Sequence, residues 1–197
     1  MKKAYLILFL AVIYITGFSQ KTETYTDSRD GKIYKTVKIG TQIWMAENLA
    51  YKPESGYWAY NNDTINIAKH GYLYNWVTAK KACPPGWHLP SDKEWKVLIT
   101  YLGGEGIAGG KIKEIGTTHW QSPNTGATNE SGITALPGGF RNGFGVFSGL
   151  DSHAIWWSGS FHNSMDASYW FVGFEGTKIS KRYLIMTGGC SVLCVED

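Results

Sequence analysis

Residues 74–104 constrain the fold more than any other part of this 197-residue chain. Trp76, Ala79 and Cys83 stand at positions i, i+3 and i+7, which is the spacing of one face of a helix. Pro84-Pro85-Gly86 follows at once, and proline cannot continue a helix while glycine permits the chain to reverse. The sequence therefore predicts a short amphipathic helix that ends at a cysteine.

A second short helix is predicted directly after this turn. Ser91 and Glu94 have the spacing of a capping box, in which each side chain bonds the backbone N–H of the other residue. Gly103-Gly104 supplies the helix exit. Apolar residues recur between these signals at i, i+3, i+4 and i+7, namely Trp95, Leu98, Ile99 and Leu102.

Residues 1–19 are typical of a signal peptide. Lys2 and Lys3 give a positive start, residues 4–15 are an apolar run of twelve, and Gly17 and Ser19 place small residues before the expected cleavage site. A membrane-spanning helix needs about 20 apolar residues, so this run is too short. We predict an exported chain with a single domain over residues 20–197 and no transmembrane segment after cleavage.

The charge balance argues against a nucleic-acid partner. The chain has 19 basic and 16 acidic residues, and removing Lys2 and Lys3 leaves 17 against 16, a net charge of +1. A phosphate-binding surface needs a basic cluster, and no basic run is present. Nine tryptophans and twelve tyrosines are the unusual feature, and such rings serve both in cores and at recognition sites.

Three cysteines in an exported chain predict one disulfide and one free thiol. Cys190 and Cys194 stand in a β-type run, where four residues span roughly 13 Å, whereas a disulfide needs Cα atoms within about 7 Å. Cys83 must therefore join one of them. We choose Cys194, which alternates with Val192 along a strand that ends at the C-terminus.

Alternating patterns predict strands at both ends of the domain. Residues 33–39 and 42–45 read as a hairpin around Gly40-Thr41, and residues 20–27 as either a disordered segment or a loose first strand. Two long segments between the helices and strands, residues 52–69 and 106–149, read as loops, and we expect the rings of the first to fold back onto the domain. Further strands are expected late in the chain, at residues 154–158, 168–174, 177–180, 183–186 and 191–195. Early helices and late antiparallel strands indicate an α+β fold.

Several motifs carry a family resemblance. They are TVKIGTQIWMAENL (36–49), ACPPGWHLPSDKEW (82–95), TNESGITALPGGFRN (128–142), the Trp156-Trp157-Ser158 strand and the closing CVED. Together they resemble the Fibrobacter succinogenes major paralogous domain. The resemblance implies a C-type lectin-like α+β fold, with two short helices, small antiparallel β-sheets, adjacent termini and a long irregular loop region for ligands. It also implies a disulfide from the first helix to the last strand, where Cys83 and Cys194 stand. The family has no established activity, so the resemblance predicts a fold rather than a function.

A calcium site is not expected, although many C-type lectins use one. Calcium takes about six to eight oxygen ligands, and the Glu-Pro-Asn and Trp-Asn-Asp signatures of the lectins are absent. Asn124, Asn129, Glu130 and Asp151 are the candidate donors, and Asn129-Glu130-Ser131 is more typical of a turn. We predict no metal and no cofactor.

A metal-free carbohydrate site is the favoured hypothesis, because sugar rings stack on aromatic side chains while polar groups bond their hydroxyls. The competing interpretation of the rings is core packing, since neighbouring residues on a strand point to opposite faces. The candidate ligand-binding residues are Trp120, Asn129, Glu130, Arg141, Asn142, Trp156, Trp157 and Trp170.

Catalysis is not expected. No G-x-S-x-G, H-E-x-x-H or P-loop motif occurs, and the five histidines lack metal-ligand spacing. The formylglycine-generating enzymes share the C-type lectin-like fold and use paired cysteines, but a disulfide at Cys194 would leave Cys190 alone. We therefore predict a secreted or cell-surface binding or adhesion module for extracellular polysaccharide or a surface protein. The alternatives are a thiol-dependent modifying enzyme that uses Cys190, and a structural envelope protein.

Overall fold

The computed structural model describes residues 22–197, so the predicted signal peptide lies outside the described part of the chain. This part has an α+β architecture of short helices and small antiparallel sheets, as the sequence predicts. Among the described residues, no helix is both long and apolar enough to cross a membrane. The first sheet has the order β1-β2-β3-β12-β6, the second β11-β10-β9, and two further sheets pair β4 with β5 and β7 with β8.

The helices are short. They are α1 (Ile67–His70), α2 (Trp76–Ala82), α3 (Asp92–Tyr101) and α4 (Glu105–Ile112), and two 3-10 turns, Tyr60–Asn62 and Thr64–Asn66, precede α1. The strands are β1 (Thr22–Thr26), β2 (Ile33–Ile39), β3 (Gln42–Met45), β4 (Tyr57–Trp58), β5 (Leu73–Tyr74), β6 (Trp87–His88), β7 (Gly138–Arg141), β8 (Phe147–Leu150), β9 (His153–Phe161), β10 (Asp166–Gly173), β11 (Ile179–Ile185) and β12 (Val195–Glu196).

The first sheet brings the two ends of the described chain together. The predicted hairpin is confirmed, with Ile39 opposite Gln42 and Gly40 at a φ of 60°. Glycine adopts this left-handed conformation without a steric cost. At the other end of the chain, β12 pairs with β3 through Val195 and Trp44. The C-terminal strand is thus inserted beside the first hairpin.

The predicted disulfide is confirmed. Cys83 and Cys194 are bonded, with their Cα atoms 5.9 Å apart and a sequence separation of 111. Cys190 is the free cysteine of the described chain and is fully buried. One covalent bond therefore fixes the end of α2 to the segment that leads into β12.

The two central helices follow their sequence signals. Helix α2 ends at Ala82, with Cys83 as its C-cap, and α3 begins with the full capping box between Ser91 and Glu94. The buried face of α3 contains Trp95, so the predicted apolar face does pack into the core. The short strand β6 between the helices is not predicted, because two residues are too few to show a period.

Helix α4 corrects the expectation that residues 106–149 are irregular throughout. Its glycines allow two close backbone approaches instead of breaking the helix. A Cβ at Gly109 would lie 2.6 Å from the carbonyl oxygen of Thr177, and one at Gly110 would collide with the carbonyl oxygen of Gly126. The helix can therefore lie directly against the chain after β10.

The late strands also differ from the prediction. Residues 177–180 and 183–186, expected as two strands, belong largely to the single strand β11. The expected strand 191–195 is regular only in β12, although Cys190 and Ser191 form isolated bridges to Tyr74 and Trp156. This C-terminal segment does not form one continuous strand. Backbone hydrogen bonds to several separate elements hold it instead.

Candidate functional site

A polar pocket of about 550 Å³ lies between the end of α1 and the long loop. The loop, residues 113–151, is the part of the chain that runs from the end of α4 to the start of β9. The polar pocket takes side chains from both segments. Those used below are Asn66, Lys69, His70, His119, Gln121 and Asp151.

His70 is the buried member of the polar pocket. Only 5% of its surface is exposed, and its Nδ1 atom has no hydrogen-bond partner among residues 22–197. The backbone is fixed, because the His70 carbonyl accepts a hydrogen bond of 3.0 Å from Asn48 Nδ2. Burial lowers the pKa of His70, so the ring is neutral at neutral pH and one of its nitrogens is an acceptor. An unpaired buried nitrogen is costly, because it has lost its contact with water without gaining a protein partner.

His119 stands beside His70, with ring centroids 6.1 Å apart and the rings nearly perpendicular. Its Nδ1 lies 2.9 Å and 3.0 Å from the two carboxylate oxygens of Glu114. A carboxylate accepts, so Nδ1 carries the proton. The Nε2 atom of His119 has no hydrogen bond to any described residue. The Glu114 contact therefore orients the ring and leaves one nitrogen for a ligand.

Asp151 and Gln121 line the polar pocket and are joined by a backbone hydrogen bond. The Asp151 carbonyl accepts a hydrogen bond of 2.7 Å from the Gln121 amide, and the Asp151 amide donates to Pro137. Asp151 has a φ of 62°, a conformation that aspartate tolerates better than most residues. Its carboxylate makes no hydrogen bond within the described chain and is exposed. The pocket thus combines imidazole, carboxylate, amide and ammonium groups.

A buried lysine holds the wall of the long loop. Lys113 is fully buried, and its ammonium donates to the carbonyls of Thr125 (3.0 Å), Gly173 (3.3 Å) and Gly176 (2.9 Å). Burial lowers the pKa of Lys113 to about 8. The ammonium therefore joins the first part of the loop to the turn after β10, next to the residues that orient His119.

Asparagine side chains fix the rest of the loop. Asn124 is buried and donates to the carbonyls of Glu114 and Gly116 at 2.9 Å and 2.6 Å. Asn129 bonds both the backbone amide and the hydroxyl of Thr134. Short side chains of this type replace backbone partners in irregular segments. The loop is therefore shaped although it has little regular structure.

A second depression continues from the polar pocket. It has a volume of about 300 Å³ and shares Lys69 and His119 with the pocket. Lys35 and Glu47 line its far part, on the side of β2. The two depressions therefore adjoin at Lys69 and His119.

The four predicted tryptophans do not form a ligand surface. Trp156, Trp157 and Trp170 are fully buried and Trp120 is 1% exposed. The strand alternation is correct, but both faces of β9 are covered, because β9 contacts α2, α3 and β7 as well as its sheet neighbour. Trp120 does line the polar pocket, as part of its buried wall. The prediction that these rings are open to a sugar is therefore wrong.

The other predicted residues are engaged in local contacts outside the polar pocket. The Arg141 guanidinium lies 4.2 Å from the ring centre of Trp58. Asn142 accepts hydrogen bonds from the amides of Phe144 and Val146 and so shapes the β7–β8 turn. Glu130 pairs with Lys111 at 3.1 Å. Asn129, as described above, bonds Thr134.

The oxygen donors considered for calcium do not converge. The Asn129 and Glu130 oxygens have protein partners, the Asn124 oxygen is buried without one in the described chain, and Asp151 lies in the polar pocket. Within residues 22–197, no group of three or more histidine, cysteine, aspartate or glutamate side chains could hold a metal ion.

The sequence does not reveal the histidine pair. His70 and His119 come from segments far apart in the chain and follow no spacing rule. The one usable signal is the position of His119 beside Trp120 in the loop, since loops more often carry binding residues. His70, at the end of a single helical turn, gives no such signal.

Comparison with known proteins identifies a family and nothing closer. No curated protein matches the chain, and no solved structure does. A family model described as the Fibrobacter succinogenes major domain matches residues 37–196, which is most of the chain and includes both central helices, the long loop and the disulfide. The chain belongs to the Fibrobacter succinogenes major domain family.

Proposed function

We propose that this protein is an exported, non-catalytic binding module that recognises extracellular polysaccharide through the polar pocket. The observation that carries the proposal is the buried, neutral His70 with an unpartnered Nδ1 beside His119. A saccharide hydroxyl both donates and accepts, so it suits a site with a free nitrogen, amides and a carboxylate. The second depression, which adjoins the polar pocket at Lys69 and His119, offers room for a further sugar unit.

The fold within this proposal is C-type lectin-like. Two features support it: the central pair of helices, and the disulfide that joins the first of them to the segment before the last strand. The first and last described strands also lie in one sheet. A long loop shaped by side-chain contacts then carries the ligand site.

Export and a secreted or cell-surface location are also part of the proposal. Residues 1–19 support it by their sequence. The disulfide adds to this, because structural disulfides persist in oxidising compartments.

The thiol-enzyme alternative has no support from the cysteines. Cys194 is bonded to Cys83, so it is not available as one of two free thiols. Burial raises the pKa of Cys190 well above the ordinary value, and a buried neutral thiol is a poor nucleophile.

A surface-protein ligand is the second candidate, and one patch favours it. Phe144, at the tip of the β7–β8 turn, is 96% exposed, and Met165 and Ile185 are also exposed. They lie close together, since a Cβ at Gly143 would touch Ile185 and Met186 bonds the Met165 carbonyl. Apolar patches of this kind occur at protein interfaces.

A polysaccharide and glycan array tests the first candidate. The wild type, His70→Phe and His162→Phe are compared, each with and without a chelator. His162 is exposed, stacks on Tyr183 and does not line the polar pocket, so its variant is the matched control. We expect at least one glycan to be retained by the wild type and by His162→Phe, and lost with His70→Phe, with no chelator effect.

Other outcomes separate the alternatives. Binding that survives in His70→Phe would reject the polar pocket. Loss on chelation would require a metal. An array with no bound glycan, together with a surface protein that the wild type retains and Phe144→Ser does not, would favour the second candidate.

A further inference from the structure

A second cleft, distinct from the polar pocket, lies beside β4. It has a volume of about 340 Å³ and is lined by Tyr57, Trp58 and Tyr72 together with Lys52, Asn62 and Thr64. We call it the aromatic groove. It shares no lining residue with the polar pocket, although the segment 60–70 contributes to both.

Trp58 is the accessible tryptophan of this protein. All nine tryptophans lie within residues 22–197, and the other eight are buried. The Arg141 guanidinium lies 4.2 Å from the Trp58 ring centre, and β4 pairs Trp58 with Leu73. The ring is therefore held by a cation–π contact and by a strand while part of it stays open to solvent.

The tyrosines of the aromatic groove are held in a fixed arrangement. Tyr57 and Tyr72 have ring centroids 5.0 Å apart at an angle of 84°, and Tyr72 in turn contacts Tyr74, which is fully buried. Edge-to-face packing of this kind is favourable and restricts both rings. A rigid aromatic surface loses little conformational entropy when a ligand binds.

The polar residues beside these rings also have a fixed backbone, but their side chains have no hydrogen-bond partner among residues 22–197. Asn62 has a φ of 57°, and Asp63 caps the next turn by accepting from the Ile65 amide. In contrast, the side chains of Lys52, Asn62 and Thr64 make no hydrogen bond to any residue in the described chain. Ring faces and free polar groups thus occur together in one cleft.

We infer that the aromatic groove is a second saccharide-binding site, in which Trp58 and Tyr57 pack against the C–H faces of a sugar ring. Asn62, Thr64 and Lys52 supply hydrogen bonds to its hydroxyls. The single cation and the absence of a carboxylate among the lining residues suit a neutral or acidic sugar. The ligand class rests on the proposed function, whereas the geometry of the groove is independent of the polar pocket.

Fluorine NMR of the full chain labelled with 5-fluorotryptophan tests this inference. The probes are soluble hexasaccharides of glucose, xylose, mannose and galacturonic acid. The Trp58 signal is assigned with Trp58→Phe, and the histidine rings are followed in the same sample by nitrogen-15 labelling. We expect at least one hexasaccharide to shift the Trp58 signal while the signals of the buried tryptophans of β9 and β10 stay unchanged.

Paired variants confirm that the groove makes the contact. Asn62→Gly removes the amide and keeps the left-handed backbone, and Asn61→Gly is its control, since Asn61 has a φ of 53° and does not line the groove. We expect Asn62→Gly and Thr64→Val to weaken binding and Asn61→Gly to leave it unchanged. Trp58→Ala should weaken it roughly tenfold.

The outcomes distinguish this inference from the proposed function. A Trp58 shift without any change at His70 and His119 would support the aromatic groove and reject the polar pocket. Shifts at the histidines with an unchanged Trp58 signal would reject the groove alone. No shift at either place with any of the four hexasaccharides would reject both.

Discussion

The two halves of this molecule are held together by different kinds of interaction. The half that contains α2, α3 and the first sheet has a disulfide and a core of packed indole rings, with Trp95 contacting Trp44, Trp156 and Trp170. The long loop, residues 113–151, has no disulfide. Buried polar contacts from Lys113 and Asn124 hold it instead.

We infer from this difference that the first half mainly provides stability and that the long loop mainly serves binding. A small change in the apolar core removes only a few of its many contacts, so it costs little stability. A polar contact, in contrast, is lost completely when one partner is removed. The loop can therefore hold His119 on a rigid support beside His70 of α1, whose Nδ1 has no partner in the described chain. The following predictions test whether the two halves respond as differently as their contacts indicate.

Removing the disulfide should have the largest effect. For the double variant Cys83→Ser/Cys194→Ser we expect a loss of about 4–5 kcal/mol in the free energy of unfolding, because a closed loop of 111 residues no longer restricts the unfolded chain. Denaturant unfolding measures the loss. Cys190→Ala, which keeps the disulfide, should cost much less, and equal losses for the two variants would contradict the assigned role of the bond.

Lys113→Met should have the next largest effect, and its effect should begin in the loop. Methionine keeps the chain length but leaves three carbonyls without their donor, so we expect a loss of about 2–4 kcal/mol. Hydrogen exchange should accelerate first in residues 113–135 and hardly at all in α3. Lys111→Met is the control, since Lys111 makes only a surface pair with Glu130. Uniform acceleration would show that the two halves are not distinct.

The charge of Lys113 also predicts a pH dependence. Burial lowers its pKa to about 8, below the ordinary value of 10.5. Between these two values the unfolded chain binds more protons than the folded chain, so stability rises with pH. The difference in unfolding free energy between wild type and Lys113→Met should therefore grow from pH 8 to pH 10, in favour of the wild type. Because both proteins are measured over the same pH range, the contributions of the other titrating groups cancel in the difference. A difference in unfolding free energy that shrinks as the pH rises would reject the lowered pKa of Lys113.

The sequence predicts the first half far better than the second. The capping box of Ser91 and Glu94, the Gly40 turn and the Cys83–Cys194 pairing are each specified by nearby residues or by reach along a strand. The capping box and the Gly40 turn survive folding because their interactions are local, whereas the disulfide joins distant residues and follows from the small number of cysteines.

The candidate sites are predicted poorly, because burial depends on what covers a strand. Alternation places Trp156 and Trp157 on opposite faces of β9 but cannot show that both faces are covered. Trp58, read as part of a surface loop, is the tryptophan that stays accessible. The polar pocket depends on a contact between His70 and His119 that no sequence period records.

The smallest predicted effect belongs to His88, at the edge of the first half. Its ring nitrogens lie 2.7 Å from Asp197 and 2.8 Å from Glu94, which ties the C-terminus to the capping box. Partial burial opposes the charged ring, but the hydrogen bonds to Glu94 and Asp197 outweigh it and raise the pKa of His88. A raised pKa stabilises the fold below the unfolded value near 6.5, and this contribution is lost as the pH rises through the folded value.

His88→Gln should therefore cost less than about 1 kcal/mol, because the pair is partly exposed and screened. We expect the difference in melting temperature from the wild type to be largest near pH 6 and to shrink above pH 7. Asp197→Asn, which removes one of the two carboxylates, should give a smaller difference with the same sign. A dependence that grows with rising pH would mean that His88 is neutral in the fold. The disulfide and the backbone pairing of β12, rather than this ion pair, would then account for the attachment of the C-terminus.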